Sequence, residues 1–234
     1  MGFIWDGFRN AIVLLVHGDR EVWSVTARSL VVSGWATAVA VLLGVALGMA
    51  AVRGRFRGRG LLLALINTGM GLPPVVVGLF LVILLARNGP LGGLDILYTT
   101  RAMILAQGVI ALPVAAGFTV TALQTLDPLT EVQLRALGAA RWQVWLLLLR
   151  EARLGLLAGV MGAFGAAVSE VGASLQVGAN IPGQTRVLTT ATVLETGMGR
   201  YDVAIALSLI LLALIFVVNL VLTIAQQRGA APWP

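Results

Sequence analysis

The sequence predicts an all-α integral membrane protein with five transmembrane helices and a peripheral N-terminal helix, on three observations. Hydrophobic residues make up 59% of the 234 and charged residues only 11%, whereas a soluble domain carries roughly 25% charge. Mean hydropathy is +0.95, and one soluble globule of this size would have too few polar groups to cover its surface. Four stretches without a charge, Ser29–Val52, Leu61–Ala86, Ala102–Leu126 and Val203–Gln227, reach the length of about 20 residues that a helix needs to cross the hydrocarbon core.

Residues 3–16 are apolar but short and contain Asp6 and Arg9, which suits a helix lying on the membrane surface rather than a crossing. A fifth span begins at Leu154, is uncharged to Ser169 and continues through Glu170 to Gly178 if that carboxyl sits inside the bundle. The chain is therefore expected to be one transmembrane domain over residues 1–234, with a peripheral segment 1–22, a membrane core 23–227 and an inner loop 127–153. Between the first two spans stand Arg53, Arg55, Arg57 and Arg59, and the inner loop adds Arg135, Arg141, Arg150 and Arg153. The alternate loops hold Arg87 with Arg101 and Arg186 with Arg200, so the positive-inside rule puts the richer side in the cytoplasm. Arg9, Arg20 and Arg28 fall on the outer side and reduce that contrast.

Several chemistries are excluded at once. All 16 basic residues are Arg, so there is no lysine for a Schiff base or for a phosphate-binding G-x-x-x-x-G-K-[ST] loop. Without Cys, and with His17 as the single histidine, there is no disulfide, no thiolate cluster and no His-rich metal site. No catalytic residue is expected. The net charge of +6 is accounted for by membrane topology rather than by nucleic acid, although R-G-R-F-R-G-R read alone has the composition of an RNA-binding tract.

The inner loop has the pattern of two helices. Asp127 and Pro128 suit an N-cap and a first turn, and Thr130 to Gln133 fit a capping box. Leu137-Gly138 ends that helix as a left-handed glycine does. A second helix follows from Ala140, with Trp142 and Trp145 as interface anchors. A short stiff helix held under the membrane is a docking element for a soluble partner, or else an ordinary connection.

The stretch A-L-G-A-A-R-W-Q-V-W, Ala136 to Trp145, resembles the cytoplasmic signature loop of the permease subunits of ATP-binding cassette (ABC) importers. The likeness runs from Glu21 to Leu222, through W-S-V-T-A-R-S-L, G-L-P-P-V-V-V-G and S-E-V-G-A. It implies a type I importer permease architecture, with Glu131, Leu134, Arg135, Ala136, Leu137, Gly138 and Ala139 coupling to an ATPase. It also implies a homodimer in the inner membrane of a prokaryote, two ATPase subunits that hold the ATP and Mg, an extracytoplasmic oxyanion-binding protein, and no cofactor on this chain. The family's Glu-Ala-Ala triplet is replaced by Val132, Gln133 and Leu134, and its Leu-Pro pair by Arg150 and Glu151. Ser169–Thr196 and Leu148–Leu157 are similar to tungstate importer permeases; molybdate permeases share S-E-x-G-A but usually keep the Leu-Pro pair.

The polar residues inside or beside the spans are the remaining candidates, and Pro73, Ser169, Glu170, Asn180, Gln184, Thr185 and Arg186 are assigned to the path or its gate. Glu170 is costly at membrane depth; it either serves the site or bonds a neighbouring helix, and it is expected to organise the gate or the packing rather than to hold an oxyanion. Pro73 and Pro74 should interrupt the second span and Pro113 the third. Gly44-x-x-x-Gly48 and Gly155-x-x-x-Gly159 suit close helix packing. Asn180, Gln184, Thr185 and Arg186 offer amide, hydroxyl and guanidinium donors to a dianion in an outer loop, or simply anchor that loop.

Overall fold

The structure, a computed structural model, describes residues 20–54 and 56–229 together with 5, 6, 8, 9, 12 and 13. The peripheral helix expected over residues 1–22 lies largely outside the described residues. Ten α-helices follow in chain order among the described residues. They are α1 (Arg20–Arg53), α2 (Arg59–Gly69), α3 (Pro74–Leu85), α4 (Thr100–Gln124), α5 (Pro128–Ala136), α6 (Arg141–Glu151), α7 (Arg153–Val168), α8 (Gly172–Gly178), α9 (Leu188–Gly197) and α10 (Tyr201–Gly229).

By length and composition α1, α4 and α10 are each able to cross a bilayer. The pairs α2–α3 and α7–α8 qualify together but are bent by 106° and 56°, giving up to five crossings. The first helix starts at Arg20, three residues before the expected core boundary. Thus the candidate crossings coincide with the apolar stretches of the sequence, while two of them are bent in a way that hydropathy does not report.

Each break has a local cause. Pro73 is extended, with φ −66° and ψ 121°, and caps α3, whose first residue is Pro74. A residue before proline avoids the helical region, and a proline at the first helical position loses no bond it could have made. Pro113 behaves differently from expectation: α4 runs through it as one helix from Thr100 to Gln124. Its ring lies against Gly69, where an added Cβ would come within 2.7 Å of the Pro113 Cβ.

Small residues build the centre. Ala36 and Ala40 of α1, Ala111 and Ala115 of α4, and Ala163 and Ala167 of α7 form one buried cluster. A Cβ at Gly44 would fall 2.7 Å from the Ala115 Cβ, and one at Gly48 2.7 Å from the Thr119 Cβ. At Gly155 the distance is 2.5 Å to the Ala122 Cβ, and at Gly159 3.0 Å to the Phe118 Cβ. Both glycine pairs are therefore packing positions, letting α1 and α7 approach α4 at backbone distance where lipid gives no hydrophobic drive for association. A second cluster joins α3 to α8, with Val77, Leu81 and Leu85 on Ala173 and Val177, and at Gly78 an added Cβ would meet the Ala173 Cα at 2.7 Å. The broken halves of two crossings thus lean on each other.

Candidate functional site

At the Arg-rich end, α5 starts at the Asp127 and Pro128 that the sequence offered, and Thr130 lies inside its first turn rather than heading a capping box. Asp127 accepts the Leu129 amide at 2.8 Å as its N-cap, and Pro128 fills the first turn. Gly138 takes φ +85°. Its amide donates to the Arg135 carbonyl at 3.0 Å, and that of Ala139 to the Leu134 carbonyl at 3.1 Å, the paired closure of a Schellman turn. Only glycine takes that left-handed geometry without strain. A new helix then starts, with the Gln143 side chain accepting the Ala140 amide at 2.7 Å.

The α5 helix has two faces. Leu134 and Ala139 pack onto the buried cluster of Ala122, Leu123, Val144, Leu148 and Ala152, fixing the helix beneath the bundle. Leu129, Val132 and Leu137 point away, and Leu137 is 84% exposed. Between the faces Glu131 forms ion pairs with Arg53, at the end of α1, and with Arg135 at 2.6 Å. Leu129, Val132 and Leu137 form an exposed apolar edge beside the turn at Gly138.

Inside the membrane region, Glu170 is 4% exposed and sits in the break between α7 and α8. Its Oε1 accepts the Ala173 amide at 2.7 Å and its Oε2 the Ser174 amide at 2.8 Å. This carboxyl caps α8, satisfying two amides that a helix start leaves without partners. The Ser174 hydroxyl accepts from the Gln107 amide at 3.2 Å, and Ser33 donates to the Gln107 oxygen at 3.0 Å. Thr189 of α9 donates to the Glu170 carbonyl at 3.2 Å. A single polar line therefore ties α1, α4, α8 and α9. Ser169 is exposed and donates to the Gly165 carbonyl at 2.7 Å.

At the opposite end, the loop between α8 and α9 is organised from within. Thr185, 1% exposed, accepts the Ile181 amide at 2.8 Å and donates to the Gly178 carbonyl at 2.5 Å. Asn180, at φ +52°, accepts from Thr190 at 2.8 Å. Arg28 donates to the carbonyls of Arg186 and Gly183, both at 2.8 Å, and Arg186 reaches Glu21 at 3.2 Å. Arg200 pairs with Glu195 at 2.6 Å. Gln184 is exposed.

Residues 40–229 match the family described as binding-protein-dependent transport system inner membrane component. The chain belongs to this family. It is a permease of the ABC importer type, a transport subunit rather than an enzyme. The chain is 40% identical over 97% of its length, and 100% of the relative's, to the tungstate uptake system permease TupB of Peptoclostridium acidaminophilum. It is 31% identical, over 78% of its own length and 84% of the relative's, to the molybdenum transport permease ModB of Escherichia coli K12. An inward-facing structure of the MetNI methionine ABC transporter superposes with a TM-score of 0.69 at 22% identity, covering 94% of this chain and 98% of that one. That likeness concerns the fold.

In this permease the residues expected to couple stand together on one short helix and its turn. The residues expected along the path do not converge: Pro73 lies at the bend before α3, Ser169 and Glu170 at the bend before α8, and Asn180, Gln184, Thr185 and Arg186 in the outer loop. Asn180, Thr185 and Arg186 are engaged in bonds that shape their own loop. The sequence reading missed Ser33, Gln107 and Ser174, which complete the line from Glu170, and it counted Arg28 and Arg53 for topology without their partners. The capping role of Glu170 becomes visible only once the span is seen to break before α8.

Proposed function

We propose that this chain is the membrane permease of a tungstate importer, and that two copies form the pore. Two ATPase subunits would seat on the α5 helices and bring the ATP and Mg, while a binding protein would deliver the oxyanion at the outer end. The observation that carries the cargo assignment is the 40% identity to a tungstate uptake permease across that protein's entire length. The docking geometry supports the division of labour. The α5 helix is rigid at both ends, holds the bundle through Leu134 and Ala139, and presents Leu129, Val132 and Leu137 outward.

ATP binding on the partners would move the two α5 helices, and through Glu131 and Arg53 the lower end of α1 would follow. About the outer loop stand Arg28, Arg186 and Arg200, of which Arg186 and Arg200 are offset by Glu21 and Glu195, so one cation remains in excess among these groups. Weak contacts suffice along the path, because an ion held tightly would not leave. No covalent step falls to this chain, and no cofactor is assigned to it.

The test is cellular tungsten and molybdenum at trace supply of both oxyanions, with and without the gene. Loss of tungsten alone is the expected result. Equal loss of both metals would make the path a general oxyanion permease, and retention of both in a strain without a second uptake route would overturn the cargo assignment. Purified permease in liposomes is expected to pass no tungstate unless the ATPase and ATP are present, which separates this reading from a passive channel that uses Glu170.

A further inference from the structure

The Arg-rich end holds a cleft of about 500 Å³ between the last turn of α1, the first turn of α2 and the helices α5 and α6. Arg53, Arg59, Arg135 and Arg141 line it, with Glu131 as its single acid and Trp145 at its edge. The carboxylate is already shared between Arg53 and Arg135. Arg59 spends its Nε on the Ala51 carbonyl, and neither it nor Arg141 has an acidic partner among the described residues. The Arg53 Nε is buried with no hydrogen-bond partner there. Among the described residues four guanidinium groups thus face one carboxylate in a concave site of ordinary ligand size.

We propose that this cleft binds the phosphate headgroup of an acidic phospholipid from the adjoining leaflet. The chemistry is that of guanidinium forks around a phosphate, which accepts several charge-assisted bonds at once. The placement selects a lipid over a free anion. Trp142, Trp145, Leu146 and Leu147 of α6 are all exposed, as are Leu42 and Leu43 of α1. These helices border the cleft and offer apolar flanks along which acyl chains can lie, with tryptophan at headgroup depth. Basic pockets of this kind between helix ends at the cytoplasmic face suit acidic headgroups. The inference does not depend on which ion the permease carries. Such a headgroup would bridge α1, α2 and the docking helix through Arg53, Arg59 and Arg135, making the position of α5 sensitive to the lipid beside it.

The experiment is native mass spectrometry of the full-length chain released from nanodiscs of mixed phosphatidylglycerol and phosphatidylcholine with matched acyl chains. The expected result is selective retention of phosphatidylglycerol. An Arg59→Gln/Arg141→Gln pair, which leaves Arg53, Glu131 and Arg135 intact, should weaken retention about thirtyfold, taking about fivefold per arginine at the membrane surface. Arg57→Gln, outside the cleft lining, should leave it unchanged. The comparison of the two lipids on the unaltered chain stands even if the paired variant folds poorly. Equal retention of phosphatidylcholine, or an equal loss in Arg57→Gln, would overturn the proposal. So would displacement of the lipid by millimolar inorganic phosphate, the behaviour of a free-anion site, or its expulsion when the ATPase binds, which would assign the cleft to a protein carboxylate.

Discussion

Ser174 faces Glu170 across the first turn of α8, its amide donating to the Glu170 Oε2 at 2.8 Å while its own hydroxyl accepts from Gln107 at 3.2 Å. A seven-residue helix cannot hold itself together by propensity. It persists here because a buried carboxyl caps its start and a glutamine from α4 pins its first turn. The polar groups at membrane depth therefore hold a broken span in a defined shape.

Replacing Glu170 by Ala removes the acceptor from two buried amides, at a cost of about 1–3 kcal/mol for each group left unpaired. Glu170→Gln retains one acceptor oxygen and should lose roughly half as much. Thermal unfolding in detergent should rank the unaltered chain, Glu170→Gln and Glu170→Ala in falling order. Equal midpoints for Ala and the unaltered chain would remove the capping role.

Packing gives a sharper contrast. Gly48→Val places carbon within 2.7 Å of the Thr119 Cβ and 2.9 Å of the Ala116 carbonyl, and because both neighbours sit on a buried helix the cost should reach about 1–3 kcal/mol or more. Gly34→Ala meets nothing within 4 Å and should be neutral or gain up to about 1 kcal/mol from helix propensity. Melting of the two variants side by side is the check.

Gly138→Ala forces a side chain into the left-handed region at φ +85°, which costs about 1–2 kcal/mol. The turn should fray without unfolding the bundle. Hydrogen exchange of the amides of residues 135–139 should then accelerate about five- to thirty-fold, that cost restated as an equilibrium ratio, with the amides of α4 unaffected. Copurification of the ATPase should fall in parallel.

Arg28→Gln removes the two bonds that hold the carbonyls of Gly183 and Arg186. Hydrogen bonds from a charged donor contribute about 1.5–3 kcal/mol each before solvent screening, and less where one lies exposed as here. Limited proteolysis should cut between residues 180 and 187 faster in this variant than in Arg20→Gln. If both are cut alike, the outer loop is held by Thr185 and Asn180 alone.

Much of this architecture was legible in the sequence because membrane depth, caps and prolines act locally. The uncharged stretches marked the crossings, Asp127 and Gly138 marked the ends of α5, and Pro73-Pro74 marked the bend before α3. Pro113 misled because a proline inside a long buried helix is tolerated when a neighbour such as Gly69 packs on its ring. What stayed hidden was long-range: Arg28 meets residues 155 and 158 positions away, and Glu131 finds Arg53 on another helix. No spacing rule announces such pairs. The Glu170 partner was close in sequence, yet it required knowing that the span breaks there, which composition does not show.

The first helix, 34 residues long, runs about 50 Å at roughly 1.5 Å per residue, well beyond the thickness of the hydrocarbon. One end is bonded to the outer loop by Arg28 and Glu21, and the other to α5 by Arg53. Between those ends its middle is packed on α4 through the alanine and glycine seam, so one continuous helix is fastened at both faces of the bundle and at its centre.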